Sequence, residues 1–357
     1  MASTNKQSIH GAIKTNEGGI ASRISPLEML TRSVMSSLLW EDSFYEDGED
    51  IASRIYRLTQ EVGKMNALEV LHKAKFTSKL RHTPLWMIVA MAEKGWVDKE
   101  TVNTICTRAD DMMELLSLYW RDGKKPLSRQ IQKGLALSFK RFDEYSLAKY
   151  NRDKAIKLRD VLRIVHPKPD DEKQSDLFKR VLTGTLATPD TWENAISACK
   201  TQEEKKAAFE RLITEEKLGD LAFIRNLRKM SEVGVDKNFL NSSFSKRKWK
   251  YMLPFQFVTA ARYNPHLEPQ IEKAMLSCLD GFETFDGEAA ILVDVSGSMG
   301  EPISEKSETK RIDVASGLAI LARETFKNVE FFSFKSSPVA VPARRGFALR
   351  DAIGNPS

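Results

Sequence analysis

The feature that most constrains this chain is the spacing of its apolar residues. From Pro26 to about Leu279 they recur every three or four positions, and the breaks fall at glycine or proline. One such helix is predicted to open at Thr83–Pro84, where a hydroxyl can cap the first turn, and to run to Gly95. Further helices are predicted over 100–107, 110–120, 128–141, 158–166, 191–198, 203–213 and 220–229. Short helices with brief connections indicate stacked helical hairpins of the HEAT type.

The pattern changes at Asp286. Residues 289–293 form a continuous apolar run followed by a polar loop, which is typical of a buried parallel strand. An amphipathic helix over 311–326 and a second strand over 329–334 follow, and strand, loop, helix and strand in this order begin an open α/β sheet. We therefore expect a mainly α chain in three parts: a flexible N-terminal segment (1–23), a helical-repeat domain (24–285) and an α/β part (286–357).

Several classes of protein are disfavoured. The longest apolar run, residues 85–91, is far shorter than the ~18 residues that a membrane span needs. The polar N-terminus lacks the apolar core of a secretory signal, which favours a cytoplasmic protein. Cys106, Cys199 and Cys278 are far apart and form no CxxC pair, so we expect small buried hydrophobes rather than disulfides or a zinc site. The absence of GxxxxGK[ST], HExxH and GxSxG motifs predicts a protein that is not an enzyme.

Positive charge is concentrated in residues 121–168. This segment holds 14 lysines and arginines against five acidic residues, a net charge of +9, whereas the whole chain carries +6 and the remainder therefore −3. On the helix predicted over 128–141, Arg129, Lys133 and Lys140 fall on one side. The opposite side is apolar, with Ile131, Leu135 and Phe139. A basic face of this kind favours an anionic partner such as nucleic acid, the alternative being a solvated surface.

The next predicted helix repeats the arrangement. Arg159, Arg163 and His166 line a face distinct from the apolar stripe of Leu158, Val161, Leu162 and Val165. Pro167 should end this helix and leave His166 at its C-terminus. Between the two helices lies the sequence Lys149, Tyr150, Asn151 and Arg152. Cation, aromatic ring and amide together suit phosphate binding and stacking of an unpaired base.

A second constellation follows the first predicted strand. Asp294, Ser296 and Ser298 place a carboxylate and two hydroxyls at alternate positions, and Gly297 permits a tight turn. Oxygen ligands of this kind suit a hard divalent cation, Mg²⁺ or Mn²⁺, rather than zinc. After a buried strand and before a helix, this DxSxS pattern resembles the metal-ion-dependent adhesion site of von Willebrand A domains.

Three sequence segments resemble the TROVE domain of the Ro ribonucleoprotein autoantigen family. LGDLAFIRNLRKM, residues 218–230, is similar to the family's LxALLRNLxKM helix, and LPFQFVTAAR, residues 253–262, to its PFxFLxA stretch. LRDVLRIVHPKP, residues 158–169, resembles the helix that ends in an HxKP turn. The resemblance implies a HEAT-like helical-repeat ring (TROVE) followed by the N-terminal part of an α/β von Willebrand A (Rossmann-like) domain. Only the first part of that domain is expected, so the threonine and aspartate that later loops give the family's metal site should be absent.

The resemblance also implies a function. Family members bind Y RNAs on the outer surface of the ring and the 3′ ends of misfolded small non-coding RNAs in the central hole. It places Lys149, Arg152 and His166 among the Y-RNA contacts. We therefore expect an RNA-binding, monomeric ribonucleoprotein component acting in RNA quality control or stress response, with an exoribonuclease as a candidate partner and no membrane association. The alternative is a metal-dependent protein-interaction adaptor acting through the von Willebrand A part.

Overall fold

The computed structural model describes residues 24–36, 39–40, 47–151, 155–249, 252–303 and 307–355. The predicted N-terminal segment, 1–23, and the predicted site residue Arg152 lie outside these ranges. The chain forms two compact units, Met1–Pro189 and Asp190–Ser357. Among the helices that are described, none combines the length and apolarity needed to cross a bilayer.

The first unit is helical throughout its described residues. Its helices are α1 (Pro26–Ser36), α2 (Gly48–Glu61), α3 (Lys64–His72), α4 (His82–Glu93), α5 (Lys99–Ile105), α6 (Ala109–Tyr119), α7 (Arg129–Arg141), α8 (Glu144–Tyr150), α9 (Leu158–Val165) and α10 (Glu172–Thr183). A π-helical turn, Lys73–Thr77, follows α3. Helix α4 is buried continuously from Thr83 to Met91, because it has neighbours on all sides. It is the central helix of this unit's core.

Two contacts fix the helices that carry the basic segment. Helix α7 lies so close to α5 that a Cβ added at Gly134 would be 2.4 Å from the Val102 Cβ, so only glycine fits there. Helix α6 packs against α7, α8 and α9. At the first turn of α6, the buried Asp111 carboxylate accepts a hydrogen bond from the Lys75 ammonium at 3.0 Å. The basic helices therefore rest on a well-anchored helix.

The second unit begins with six helices and continues into a small sheet. The helices are α11 (Trp192–Ala198), α12 (Gln202–Thr214), α13 (Asp220–Glu232), α14 (Lys237–Ser245), α15 (Pro254–Tyr263) and α16 (Glu268–Ser277). Then come β1 (Phe285–Asp294), α17 (Arg311–Thr325), β2 (Phe326–Phe334), β3 (Pro338–Val341) and α18 (Gly346–Gly354). Strand β1 pairs in parallel with β2, and β2 pairs antiparallel with β3. Parallel strands joined through a helix are the expected start of an open α/β sheet.

The two faces of this sheet differ. Val293 and Phe331 point to the face that is buried, and α17 packs against both parallel strands. Helix α17 also lies against α15, where Gly317 leaves room for the backbone of Phe255, since a Cβ at Gly317 would lie 2.6 Å from the Phe255 nitrogen. Leu292, on the opposite face of β1, is 60% exposed.

The predicted fold class, mainly α with a small α/β part, is confirmed, and element ends differ by a few residues. The first strand begins at Phe285 rather than residue 289, and the second at Phe326 rather than 329. The short strand β3 was not predicted. The expectation for the cysteines is right for buried Cys106 but wrong for Cys199 and Cys278, which are half-buried because they stand at the C-terminal caps of α11 and α16. All three thiols are free.

Candidate nucleic-acid interface

Helix α7 presents cations opposite its buried stripe, as its spacing predicts. Ile131, Leu135 and Phe139 are fully buried, whereas Arg129 and Lys133 are exposed. Neither Arg129 nor Lys133 has an ion pair with any residue that the structure describes. Lys140, in the last turn, differs because its ammonium pairs with the carboxylate of Asp170. Two of the three predicted cations of α7 therefore form no ion pair with a described residue and are available to a ligand.

Helix α9 likewise has a buried apolar face and an exposed basic face. Leu158, Val161, Leu162 and Val165 are buried, and Arg159 and Arg163 are exposed. The guanidinium of Arg159 lies 4.0 Å from Asp160, while Arg163 has no ion pair within the described part of the chain. The side-chain amide of Gln132 on α7 donates to the carbonyl of Ile164 on α9 at 3.0 Å. This bond ties the two helices together, so their exposed cations belong to neighbouring elements.

His166 caps the C-terminus of α9, as predicted. Its backbone is in the left-handed region (φ 48°, ψ 57°), and its N–H donates to the Leu162 carbonyl at 3.0 Å. A residue with a Cβ pays ~1–2 kcal/mol for this conformation. The following Pro167 is buried and holds the turn, so the exposed imidazole of His166 is displayed where the helix ends.

Aromatic rings and cations cluster at the end of α8. The Lys149 ammonium lies 5.6 Å from the ring centre of Tyr145 and 5.7 Å from that of Tyr150. The guanidinium carbon of Arg108 lies 4.4 Å from the Tyr150 ring centre, within cation–π range. Tyr150 also packs against the core and is half-buried, whereas Tyr145 is 48% exposed. Tyr145 is therefore the more accessible stacking surface.

Arg108 and Tyr145 were missed from the sequence. Arg108 comes from the turn before α6, about 40 residues from Tyr150, and is held by two bonds to Asp110, at 3.0 and 3.1 Å. Nothing in the local pattern shows such a long-range contact. Tyr145 had a local signal, because it stands four residues before Lys149 on one helix face.

Other cations of the basic segment are engaged within the protein. Arg121 pairs with Glu49 and lies 3.8 Å from the ring centre of Trp40. Lys125 binds Glu93 at 2.9 Å, and Arg141 donates to the carbonyl of Cys106. The net charge of the segment therefore exceeds the charge available to a ligand.

The Asp294 loop brings its oxygens together. The Asp294 carboxylate accepts a hydrogen bond from the Ser296 backbone N–H at 2.8 Å, and this bond lowers the pKa of Asp294 below its usual value. The Ser296 and Ser298 hydroxyl oxygens lie 3.3 Å apart, a separation that two ligands of one cation can have. Asp313 is not available as a further ligand, because it pairs with Arg262 and caps α17 at the N–H of Lys310. Within the described residues no cluster of three or more His, Cys, Asp or Glu side chains could hold a metal, so the loop offers a hard cation an ionised but incomplete ligand set.

Comparisons with known proteins bear on this arrangement. The TROVE domain family profile matches residues 182–277. A segment of the chain is therefore similar to the TROVE domain. Its fold is similar to that of the Ro (RSR) protein of Deinococcus radiodurans, with a TM-score of 0.64 and 16% identity over 92% of this chain and 80% of that one. A search of curated protein sequences found no match.

The predicted resemblance to the Ro and TROVE family is confirmed by the match and the shared fold. The matched residues include 218–230 and 253–262, two of the three segments that resemble the TROVE domain. The basic helices α7 and α9 precede it. The residues that would contact RNA stay a prediction.

Proposed function

We propose that the chain is an RNA-binding component of Ro-type ribonucleoproteins and has no catalytic activity. The observation that carries this proposal is the pair of exposed basic faces on α7 and α9. Arg129, Lys133 and Arg163 are uncommitted to acidic side chains in the described structure, and the TROVE match provides the family context. Such cations neutralise phosphates, and this supplies most of the affinity of a protein for RNA.

The finer proposal is that Y-like RNAs bind at these helices, and that the chain also takes up the 3′ ends of misfolded small non-coding RNAs in cytoplasmic RNA quality control or stress response. Tyr145 and His166 are exposed near cations and can stack on or hydrogen-bond to bases in loops. An exoribonuclease would then act on RNAs that the complex retains. These roles follow from the family resemblance.

The test compares binding to a stem-loop with unpaired bases and to a duplex of equal length. We expect the stem-loop to bind more tightly, and K133Q with R163Q to weaken its binding about 10-fold or more, because each lost phosphate contact removes on the order of 1 kcal/mol. The matched control is R57Q with K179Q, which removes two exposed positive charges elsewhere in the same unit. Equal losses in both double variants would show that only overall charge matters and would refute the interface.

We propose in addition that the Asp294 loop holds Mg²⁺ or Mn²⁺ weakly. Asp294 would supply the charged ligand and Ser296 and Ser298 neutral oxygens, with water at the other positions. Manganese titration followed by electron paramagnetic resonance should show one weak site that D294N removes. D294A should leave the affinity for RNA within about 2-fold of the parent, because the loop contains no cation for phosphate. Manganese binding that survives D294N would locate the ion elsewhere.

A further inference from the structure

The second unit contains a cavity beside α13 and α15 that the predicted interface does not use. Its volume is about 770 Å³, within the ~300–1,000 Å³ that ligand sites usually span. Side chains of α13 and α15 form two walls, and Ser307, Glu308 and Thr309 form a third. The cavity therefore combines cationic, aromatic and hydroxyl groups in one place.

The α13 wall is basic. Arg225, Arg228 and Lys229 are spaced by three and four residues, which puts them on one face of the helix. The Lys229 ammonium forms an ion pair with the Glu232 carboxylate at 3.3 Å. Arg225 is exposed and has no ion pair with any residue in the described ranges. It is thus an uncommitted guanidinium at the cavity.

Arg228 is held in a defined orientation. Its guanidinium carbon lies 4.9 Å from the ring centre of Tyr263, and its nitrogens bind Glu232 at 3.0 Å and Glu308 at 3.1 Å. Guanidinium groups bind carboxylates and phosphates with the same planar geometry. The Glu308 carboxylate therefore occupies a position that a phosphate oxygen could take.

Glu308 can leave that position easily. Its side chain is 62% exposed, and exposed ion pairs contribute little to stability. The next residue holds the backbone in place, because the Thr309 hydroxyl lies 3.1 Å from that of Thr259 on α15. The carboxylate can thus turn into solvent while the cavity wall keeps its shape.

The α15 wall suits a base. Tyr263 is 37% exposed, and Gln256 places an amide in the same lining. Unpaired bases stack on aromatic rings and hydrogen-bond to amides.

We infer that this cavity binds one nucleotide, with its base on Tyr263 and its phosphate on Arg225 and Arg228, and that Glu308 is the carboxylate that the phosphate displaces. The ligand is either a free mononucleotide or one nucleotide of an unpaired strand. The inference uses none of the residues of the proposed interface; its strand source rests on the proposed uptake of RNA 3′ ends, whereas its mononucleotide source does not.

Isothermal titration of the full chain with adenosine 5′-monophosphate, adenosine and a six-nucleotide oligoadenylate tests it. Adenosine should bind at least about 10-fold more weakly than its monophosphate, and R225Q should weaken the monophosphate by a similar factor. E308Q should tighten binding about 3-fold, because it removes the competing negative charge. E330Q, which removes an exposed carboxylate on β2, is the control and should change nothing.

The two sources of the nucleotide give different results. An oligoadenylate that binds far more tightly than the monophosphate, with the same responses to R225Q and E308Q, identifies a strand. Equal affinities identify a free mononucleotide. The inference is overturned if neither ligand binds saturably, if adenosine equals its monophosphate, or if E308Q fails to tighten binding. The stem-loop assay with K133Q and R163Q does not depend on this cavity, so either proposal can fail alone.

Discussion

The buried ion pair of the first unit gives a sharp prediction. Lys75 and Asp111 meet at 3.0 Å with side chains 5% and 0% exposed, whereas Arg57 and Glu61 meet at 2.8 Å with side chains 64% and 46% exposed. The distances are similar, so the difference in burial decides the outcome. In the buried pair, loss of one partner leaves a charge without water or counterion, which costs ~3–5 kcal/mol. The exposed pair contributes at most ~0.5 kcal/mol.

We expect D111A to lower the free energy of unfolding by about 3–5 kcal/mol, a large share of the ~5–15 kcal/mol that stabilises a typical domain. E61A should lower it by less than about 0.5 kcal/mol. The two variants are compared by urea unfolding followed by circular dichroism.

A third variant separates charge from packing. Replacing both partners by apolar residues, K75M with D111L, should recover most of the loss, because no buried charge is left unpaired. Asp111 also caps α6 through the N–H of Arg108 at 3.1 Å, so about 1 kcal/mol should remain lost. A double variant as unstable as D111A, or a loss below about 1 kcal/mol in D111A itself, would refute the reasoning.

Three further predictions concern single positions. G134A should destabilise the chain by about 1–2 kcal/mol in the same assay, because its Cβ would lie 2.4 Å from Val102, and the clash outweighs the gain in helix propensity. Burial raises the pKa of the Cys106 thiol from 9.0 to about 12. The folded state therefore keeps the full stabilisation from the neutral thiol below pH 9, and the free energy of unfolding falls by about 1.4 kcal/mol per pH unit as the pH rises toward 12. C106A should remove this contribution to the loss of stability at alkaline pH. H166G should raise the melting temperature, because glycine adopts the left-handed conformation of position 166 without strain and the net gain in the free energy of unfolding is about 0.5–1 kcal/mol. The same variant should weaken stem-loop binding. A fall in melting temperature would contradict the strain at this turn.

Local pattern predicted nine of the eighteen α-helices that the structure describes, because most of these bury a stripe set by their own spacing. Helix α9 is the clearest case, since Leu158, Val161, Leu162 and Val165 are all buried and the helix ends before Pro167. Strand β3 escaped prediction, because Pro338–Val341 is short and mostly exposed, and only pairing with β2 defines it. The early start of β1 at Phe285 also depends on its partner strand, through the pairing with Phe326.

The candidate sites could be predicted only in part, for a related reason. Exposure of Arg129, Lys133 and Arg163 follows from helical spacing alone. The engagement of Lys140 by Asp170, and of Tyr150 by Arg108, joins residues 30 or more positions apart, and no local pattern contains it. The cavity of the second unit is a product of tertiary packing in the same way, although Arg225, Arg228 and Lys229 stand together in the sequence.

The net charge of residues 121–168 is larger than the charge that is available to bind RNA, and this changes the salt dependence that we expect. A net charge of +9 in residues 121–168 suggests nine phosphate contacts and a slope of log K against log salt of roughly −6 to −8. Six cations of this segment have neither an ion pair nor a side-chain hydrogen bond to a described residue, and they are Lys124, Arg129, Lys133, Lys149, Arg163 and Lys168. Each contributes ~0.7–0.9 to the slope, so we expect a slope of about −4 to −5 for the stem-loop, falling in magnitude by about 1.5 in the K133Q with R163Q variant. A slope of −7 or steeper would mean that RNA also contacts cations beyond these six, either by breaking internal ion pairs such as those of Lys140 and Arg121 or by binding elsewhere on the chain.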